Sequence, residues 1–491
     1  MGKWKVLIRL AVCGWLVLAM PGCNRRPLLF ERVRPAHSGI SFTNTIVEND
    51  SINPLSVVNI YSGGGVGIGD FNNDGLPDIY LTGGMVSSRL YLNRGNFRFG
   101  DVTEKAGVGG MGRWARGVAV VDINNDGLMD LYICNTLYKD PLRRRNILYV
   151  NQGPDKDGVP RFRDMAAEYG LDIGVQSTMA SFFDYDNDGD LDMYLTVNEA
   201  SGGYESSVFI GQDRPGGGPN HGRLYRNDPD AQLGHPVYHD VSERAGVLYE
   251  GYGHAASICD IDGDGWKDIY VSDDFISNDI LYINNRDGSY TNRTKEYFKH
   301  TSYNSMGQDV VDINNDGLPD VVELDMSAED NYRRKMMSNA NNTNTYQNFE
   351  NYGYQYQYVR NTLQLNQGPR VGRGDSLGAP VFSEVGWMSG VSHTDWSWDP
   401  LVVDFDNDGW RDLVVTNGFP RDWSDHDFIA YRQQSGGAVT NMQLLGAIPQ
   451  VKLHNYAFKN NGGVGFDDVS AAWGLGLPTF SEWCGVCRSG Q

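Results

Sequence analysis

The twelve-residue stretch DFNNDGLPDIYL, Asp70–Leu81, returns five more times along this chain. Related stretches begin at Asp122, Asp184, Asp260, Asp312 and Asp404, with successive separations of 52, 62, 76, 52 and 92 residues. A repeat constrains architecture before any single residue does, because each unit must be one supersecondary element that buries its face against its neighbours. Unequal spacing means insertions into a constant unit.

Each copy sits in one frame. An apolar run such as GVAVVD precedes it, and a second run such as DLYIC follows. Next come a Leu-Tyr-x-Asn piece (RLYLNRG, ILYVNQG, RLYRND, ILYINN) and a Phe-x-Asp-Val piece (FGDVTEKAGV, YHDVSERAGV, FDDVSAAWGL). Alternating apolar residues rich in Tyr, Val and Ile predict strands. Four strands per unit with little helical pattern predict the blades of an all-β propeller. Labelling the strands A to D, the Asp-rich loop joins A to B.

The loops carry oxygen donors at positions 1, 3, 5 and 9. These are Asp70, Asn72, Asp74 and Asp78 in the first copy, and Asp122, Asn124, Asp126 and Asp130 in the second. The third and fourth have Asp184, Asp186, Asp188 and Asp192, then Asp260, Asp262, Asp264 and Asp268. The last two have Asp312, Asn314, Asp316 and Asp320, then Asp404, Asp406, Asp408 and Asp412. Alternate side chains of a tight loop converge on one point, position 6 is a turn glycine, and an all-oxygen set suits calcium. The expectation is about six Ca2+. A metal-free Asn-Gly hairpin explains the glycine but not four carboxylate or amide groups in register. Glu323, at position 12 of the fifth copy, completes an EF-hand pattern. Its siblings Leu81, Ile133, Leu195, Val271 and Val415 argue for a hairpin there too.

Charge follows the loops. The formal net charge is −21. The six nine-residue loops hold 22 Asp against Lys267 and Arg411, so they contribute −20 of it. Such a chain is a poor partner for nucleic acid.

The D-x-[DN]-x-DG-x-x-D hairpins with Leu-Tyr-x-Asn strands resemble FG-GAP/VCBS repeats, the blades of integrin-α-type propellers. AEDNYRRKMM with GYQYQYVRNTLQLN, TDWSWDPLVVDFDNDGWRDLVVTNG and NYAFKNNGGVGFDDVSAAWGL sharpen this toward bacterial relatives of cartilage acidic protein, which carry a propeller and an ASPIC/UnbV module. The resemblance covers about residues 30–480. It implies a calcium-loaded propeller in the cell envelope or outside the cell; it does not imply an enzymatic activity.

Residues 1–22 read as an export signal, with Lys3, Lys5 and Arg9 before the apolar LAVCGWLVLAM. That core is short for a membrane span. Gly22 before Cys23 resembles a lipoprotein cleavage box, so Cys23 is the expected lipidation site and 23–29 a tether, with plain secretion or an uncleaved anchor as alternatives. The expected location is the cell envelope or surface, with the membrane reached by the lipid anchor only and the protein monomeric. Cys134 and Cys259, beside Asp loops of different blades, read as buried free thiols. Cys484 and Cys487 form a lone C-x-x-C without a metal or redox context.

RGDSLG, Arg373–Gly378, spells an adhesion tripeptide and two hydrolase signatures, but a nucleophile elbow needs a strand before it and a helix after. The surrounding Gly-rich loop argues against catalysis at Ser376. His235 and His239 read as surface residues of a D strand. Long insertions after strand B, at roughly 198–222, 327–360 and 417–455, are expected opposite the Asp loops, where function usually lives on a rigid scaffold. Tyr352, Tyr354, Tyr356 and Tyr358 are expected on one side of a strand there, with Trp423 nearby and Arg333 and Arg334 adding charge. Aromatic platforms suit a protein or glycan ligand. The first reading is a binding or adhesion module. The alternative is a carbohydrate-active enzyme, a polysaccharide lyase or hydrolase, on the same face.

Counting strands gives six complete blades, with Leu29–Val33 as an extra D-like strand before the first. An orphan D strand calls for A, B and C strands at the other end. After GLPTF the chain reads SEWCGVCRSGQ, an aberrant tail at 481–491 without strand pattern. The expectation is a chain truncated or frame-shifted near Phe480, seven-bladed in geometry with the seventh blade missing.

Overall fold

The structure is a computed structural model that describes residues 28–200, 208, 209, 211, 218–337, 342–372, 377–481 and 485. The signal segment, Cys23, Arg373–Ser376, Cys484 and Cys487 lie outside the described residues.

The chain forms a six-bladed β-propeller, each blade an antiparallel four-stranded meander. Blade 1 comprises Val66–Gly69, Asp78–Leu81, Arg89–Asn93 and Phe99–Asp101. Blade 2 comprises Ala115–Val121, Asp130–Asn135, Ile147–Pro154 and Pro160–Asp164. Blade 3 comprises Ser177–Phe183, Asp192–Val197, Arg223–Asp230 and His235–Asp240. Blade 4 comprises Gly253–Cys259, Asp268–Asp273, Ile280–Asn284 and Tyr290–Asn292. Blade 5 comprises Gln308–Val311, Asp320–Glu323, Thr362–Val371 and Leu377–Glu384. Blade 6 comprises Asp395–Val403, Asp412–Asn417, Tyr456–Asn460 and Phe466–Asp468, extended by Met326–Ser327 on its inner strand.

The register is constant. Gly69 pairs with Asp78, Val121 with Asp130, Phe183 with Asp192, Cys259 with Asp268, Val311 with Asp320 and Val403 with Asp412. Every Asp loop is therefore the same hairpin at the same end of its blade. Glu323 ends a strand, with no helix after it, and its carboxylate is buried against the Tyr270 hydroxyl.

From blade 1 through blade 6, strand A of each blade packs beside strand A of the one that follows it in the chain. There the backbones come so close that a Cβ at Gly117 would collide with the Thr178 carbonyl, and one at Gly307 with that of Trp398. Apolar cores lie between consecutive blades, filled by tyrosines of strand B such as Tyr80, Tyr132, Tyr194 and Tyr270. The rings of Tyr80 and Tyr132 lie inside while their hydroxyls donate to the Val108 and Leu171 carbonyls at 2.8 and 3.1 Å.

A helical turn follows each D strand and ends on a residue that abuts the D strand of the next blade. Gly170 meets the Tyr238 carbonyl, and Tyr238 N–H donates to Tyr169 at 2.8 Å. After blade 6, Gly474 meets the Phe30 carbonyl in the same way, and Phe30 N–H donates to Trp473 at 2.8 Å. Phe30 thus stands at the D-strand place of a seventh sector. The following Gly39 in turn abuts the Phe99 carbonyl of blade 1. Leu29–Val33 does not form the expected strand. Among the described residues it has no neighbouring strand to pair with, so backbone contact with the turn before Gly474 holds it instead. An apolar cavity of about 460 Å3, lined by residues such as Val33, Ile68, Ile79 and Phe99, faces this sector.

Candidate functional site

Each Asp loop is built by the same backbone bonds. The position 1 carboxylate accepts from the N–H groups of positions 5 and 6, as Asp70 does from Asp74 at 3.0 Å and Gly75 at 2.8 Å. Asp184, Asp260 and Asp404 repeat this. Position 5 caps the turn, with Asp74 accepting from Leu76 N–H at 2.9 Å. Position 4 is left-handed in every loop: Asn73, Asn125, Asn187, Gly263, Asn315 and Asn407 have φ between 56 and 73°. Asn and Gly are the residues that tolerate this backbone. In the sequence, only the glycine at position 6 signals a turn.

Position 9 is fully buried in all six loops. Its carboxylate accepts from the N–H of position 2 and from an N–H of strand C. Asp78 takes Phe71 at 3.1 Å and Asn93 at 2.7 Å, and Asp268 takes Ile261 at 3.0 Å and Asn284 at 2.8 Å. The strand C residue is the asparagine of Leu-Tyr-x-Asn, read from sequence only as a strand marker. Its amide ties position 8 of its own loop to position 2 of the preceding blade's loop, as Asn284 does to the Lys267 and Tyr185 carbonyls. Asn151, Asn366 and Asn460 do the same. Its recurrence beside each loop was the available signal.

Burial, partly offset by those backbone bonds, pushes the carboxyls of Asp78, Asp130, Asp192 and Asp268 up to about 7 and Asp320 up to about 6. Their folded values lie above the ordinary value of 3.8. Without metal, this contribution to stability is present below that value and lost as pH rises through about 7. Chelator-treated protein is therefore expected to melt at a higher temperature at pH 5.5 than at pH 8. A bound divalent cation requires the carboxylates ionised and reverses the order. Thermal melts at both pH values with and without chelator check this; a chelated midpoint that rises toward pH 8 counts against it.

Three loops bring carboxylate oxygens of positions 1, 3 and 9 within 4.8 Å of one another: Asp184, Asp186 and Asp192; Asp260, Asp262 and Asp268; Asp404, Asp406 and Asp412. Buried oxygens of Asp186 and Asp406 have no hydrogen-bond partner. Hard oxygens in this crowding fit a divalent cation. In the other three loops position 3 is Asn, whose amide donates to position 5, as Asn72 does to Asp74 at 3.0 Å. The sixth loop differs again: Lys459 of strand C places its ammonium on Asp406 and Asp408. Lys459→Met is expected to tighten divalent-cation binding at this loop about fivefold, since one unit charge nearby in largely aqueous surroundings is worth on the order of 1 kcal/mol. Titration calorimetry reads this, and unchanged affinities at every site would mean the ammonium does not compete.

A family model described as FG-GAP-like repeat matches residues 70–133 and 260–323, each holding two of these loops. The chain carries FG-GAP-like repeats. It is also homologous to cartilage acidic protein 1, being 28% identical over 217 residues to the Xenopus tropicalis protein and 29% identical over 217 residues to the Homo sapiens protein. The match covers 44% of this chain and 29% of the length of each relative. Among solved structures, an Agrocybe aegerita lectin recognising non-reducing terminal N-acetylglucosamine aligns with TM-score 0.41 and 14% identity, over 84% of this chain and 83% of the lectin. The Vibrio cholerae biofilm matrix protein Bap1 aligns with TM-score 0.24 and 11% identity, over 72% of this chain and 73% of that one.

Opposite the FG-GAP-like loops, the expected aromatic face is corrected in detail. Tyr352, Tyr354, Tyr356 and Tyr358 do not share a strand. Asn342 caps a helix, Thr343–Tyr352, and Gly353 ends it in the left-handed region, so the alternating tyrosines leave a helix end rather than line a strand. Tyr352 is exposed and stacks on Phe209, while Tyr354 is buried. Tyr356 donates to Glu350 at 2.6 Å, and Tyr358 stands edge-on to His300. Trp423 is half-buried against the core around Phe419. Arg333 is no free cation: it binds Asp395 through two nitrogens at 2.5 and 2.9 Å and Asp422 at 2.8 Å. Those carboxylates are buried and need a partner, and helix Asn331–Met336 supplies it. Arg334, one residue on, lines a cavity with Tyr358. Cys134 and Cys259 are free and buried, His235 stacks on Tyr169, and His239 lies 3.6 Å from Asp228.

Proposed function

We propose that this protein is a calcium-loaded propeller of the cell envelope or exterior that binds a protein or glycan ligand. The observation that carries the reading is the division of its two faces. Six hairpins of one register put every Asp loop at one end of the blades. The long connections 198–222, 324–361 and 418–455 leave from the other end. The loops hold the scaffold and the insertions vary the surface, the usual division of work in a binding module. Calcium suits the Asp clusters because all donors are hard oxygens on flexible turns. No helix among the described residues is long and apolar enough to cross a membrane.

A glycan-array and pull-down screen in calcium, repeated with chelator, tests the reading. Calcium-dependent capture of a discrete ligand supports it, and no capture in either condition sinks it. Polysaccharide cleavage is the second reading. The guanidinium groups of Arg334 and Arg360 line one cavity of the insertion face beside the imidazole of His393, and they are the charge neutraliser that a lyase needs. Release of unsaturated sugar products would favour it over binding alone.

A further inference from the structure

On the insertion face, where blade 5 meets blade 6, a cavity of about 270 Å3 opens between the 324–361 connection and the turn before Asp395. Its polar lining is Ser327, Arg334, Arg360 and His393, and its aromatic lining is Tyr358 and Trp387. We propose that this cavity binds the acidic group of a saccharide, a carboxylate or sulfate on a sugar ring. The inference rests on the binding-module reading and names the ligand class for that face.

Charge comes first. Arg360 is partly neutralised by Glu384, whose carboxylate lies 2.7 Å from it and is 8% exposed. Among the described residues Arg334 has no carboxylate partner and donates only to the Glu329 carbonyl, at 3.1 Å. The cavity therefore keeps an excess positive charge in a chain whose formal charge is −21. A half-buried guanidinium without a counter-ion is a ready site for a planar or tetrahedral oxyanion.

His393 adds a directed group. Its Nδ1 lies 2.9 Å from Ser327 Oγ, and its Nε2 is buried with no hydrogen-bond partner. With the hydroxyl of Ser327 donating to Nδ1, Nε2 carries the hydrogen and offers it to the cavity. Burial, reinforced by the charges of Arg334 and Arg360, holds the imidazole down at about 4, so the ring is neutral at pH 7. A neutral donor beside a guanidinium fits an anion and gives a metal cation no reason to enter. A buried donor without a partner is unfavourable, and an acceptor in the cavity removes that cost.

Shape points to a sugar over a peptide. Trp387 is 61% exposed, and its ring stands edge-on over His393 with centroids 4.6 Å apart. Its free face lies beside the cavity, and Tyr358 carries the Arg360 guanidinium on its ring at 5.6 Å. An exposed aromatic face next to a charge-complementary pocket accommodates a ring stacked flat with its acidic substituent turned inward. The volume suits one sugar unit and falls below the range for larger ligands.

The test uses the whole chain with calcium present. Probes are oligogalacturonate, a sulfated galactose oligomer, a neutral galactose oligomer of equal length and an oligoglutamate peptide, each titrated by calorimetry. One acidic saccharide is expected to bind at least tenfold more tightly than the neutral one, and the comparison of the two acidic probes tells carboxylate from sulfate. Arg334→Gln and Trp387→Ala are each expected to weaken that binding about tenfold, and Arg334→Lys to restore part of it. Neither side chain belongs to the core, so melting temperatures stay at the unmutated value. Equal binding of acidic and neutral probes, tighter binding of oligoglutamate, or indifference to both substitutions would overturn the inference. The binding-module reading survives any of these if the glycan and protein screen still captures a ligand.

Discussion

Adding excess chelator to the calcium-loaded protein is expected to lower its melting midpoint by about 15 °C. Each loop closes only when strands A and B are paired, because position 1 directly follows strand A and position 9 opens strand B, joined to it in register. Calcium is therefore expected to bind the folded state and little of the unfolded chain. At about one hundred times the dissociation constant, a site adds about 2.7 kcal/mol, so six sites add about 16 kcal/mol. Unfolding entropy near 2.1 cal/mol/K per residue makes about 1 kcal/mol/K for a chain of this size. Readdition of calcium should restore the midpoint. Asp184→Ala removes an oxygen from one of the three carboxylate clusters, and is expected to lower bound calcium from about six toward five by elemental analysis. A midpoint that ignores chelator would show that the loops hold together by their backbone bonds alone.

Arg333→Met is expected to destabilise the protein by about 3–5 kcal/mol, the cost of leaving buried carboxylates without their partner. Asp395 and Asp422 have side chains 5% and 1% exposed. One guanidinium joins the inner strand of blade 6 to two of the long insertions, 324–361 and 418–455. Lysine cannot satisfy both carboxylates at once, so Arg333→Lys should recover little. The shift is read from a denaturant midpoint in saturating calcium, which holds the metal contribution constant. A loss below about 1 kcal/mol would mean that the N–H of Trp396 and the hydroxyl of Ser424, which already donate to these carboxylates, suffice. Ligand binding through the Arg334 cavity is expected to weaken along with stability, because the same helix presents both arginines.

The Asp loops were legible because their chemistry is local. Nine consecutive residues contain the donors, the glycine and the closing carboxylate, and their position between two apolar runs fixes the hairpin. The left-handed position 4 escaped notice although Asn or Gly stands there in every copy. It reads as one more polar residue until the turn geometry is in hand. The Leu-Tyr-x-Asn asparagine escaped for a different reason. Its amide bridges to the preceding blade, 80 residues away for Asn151 and Phe71, and no local pattern announces such a bond.

Misreadings concentrate in the insertions, where no repeat supplies a frame. YGYQYQY alternates like a strand, yet Asn342 and the left-handed Gly353 make its first tyrosine the end of a helix. Arg333 and Arg334 are adjacent in sequence and look equivalent. One is consumed by two buried carboxylates and the other faces a cavity.

By itself, the sequence determined the blade, its Asp loop and the count of six, because a constant unit with period-two strands and tight turns has one way to bury its apolar face. Tertiary structure alone decided which insertion residues are free. Whether a charge binds ligand or holds the scaffold depends on which carboxylate arrives from 62 or 89 residues away, as Asp395 and Asp422 do for Arg333. The same holds for Phe30. Only the contact with Gly474 and Trp473, at the far end of the chain, gives a short irregular stretch the place of an outer strand.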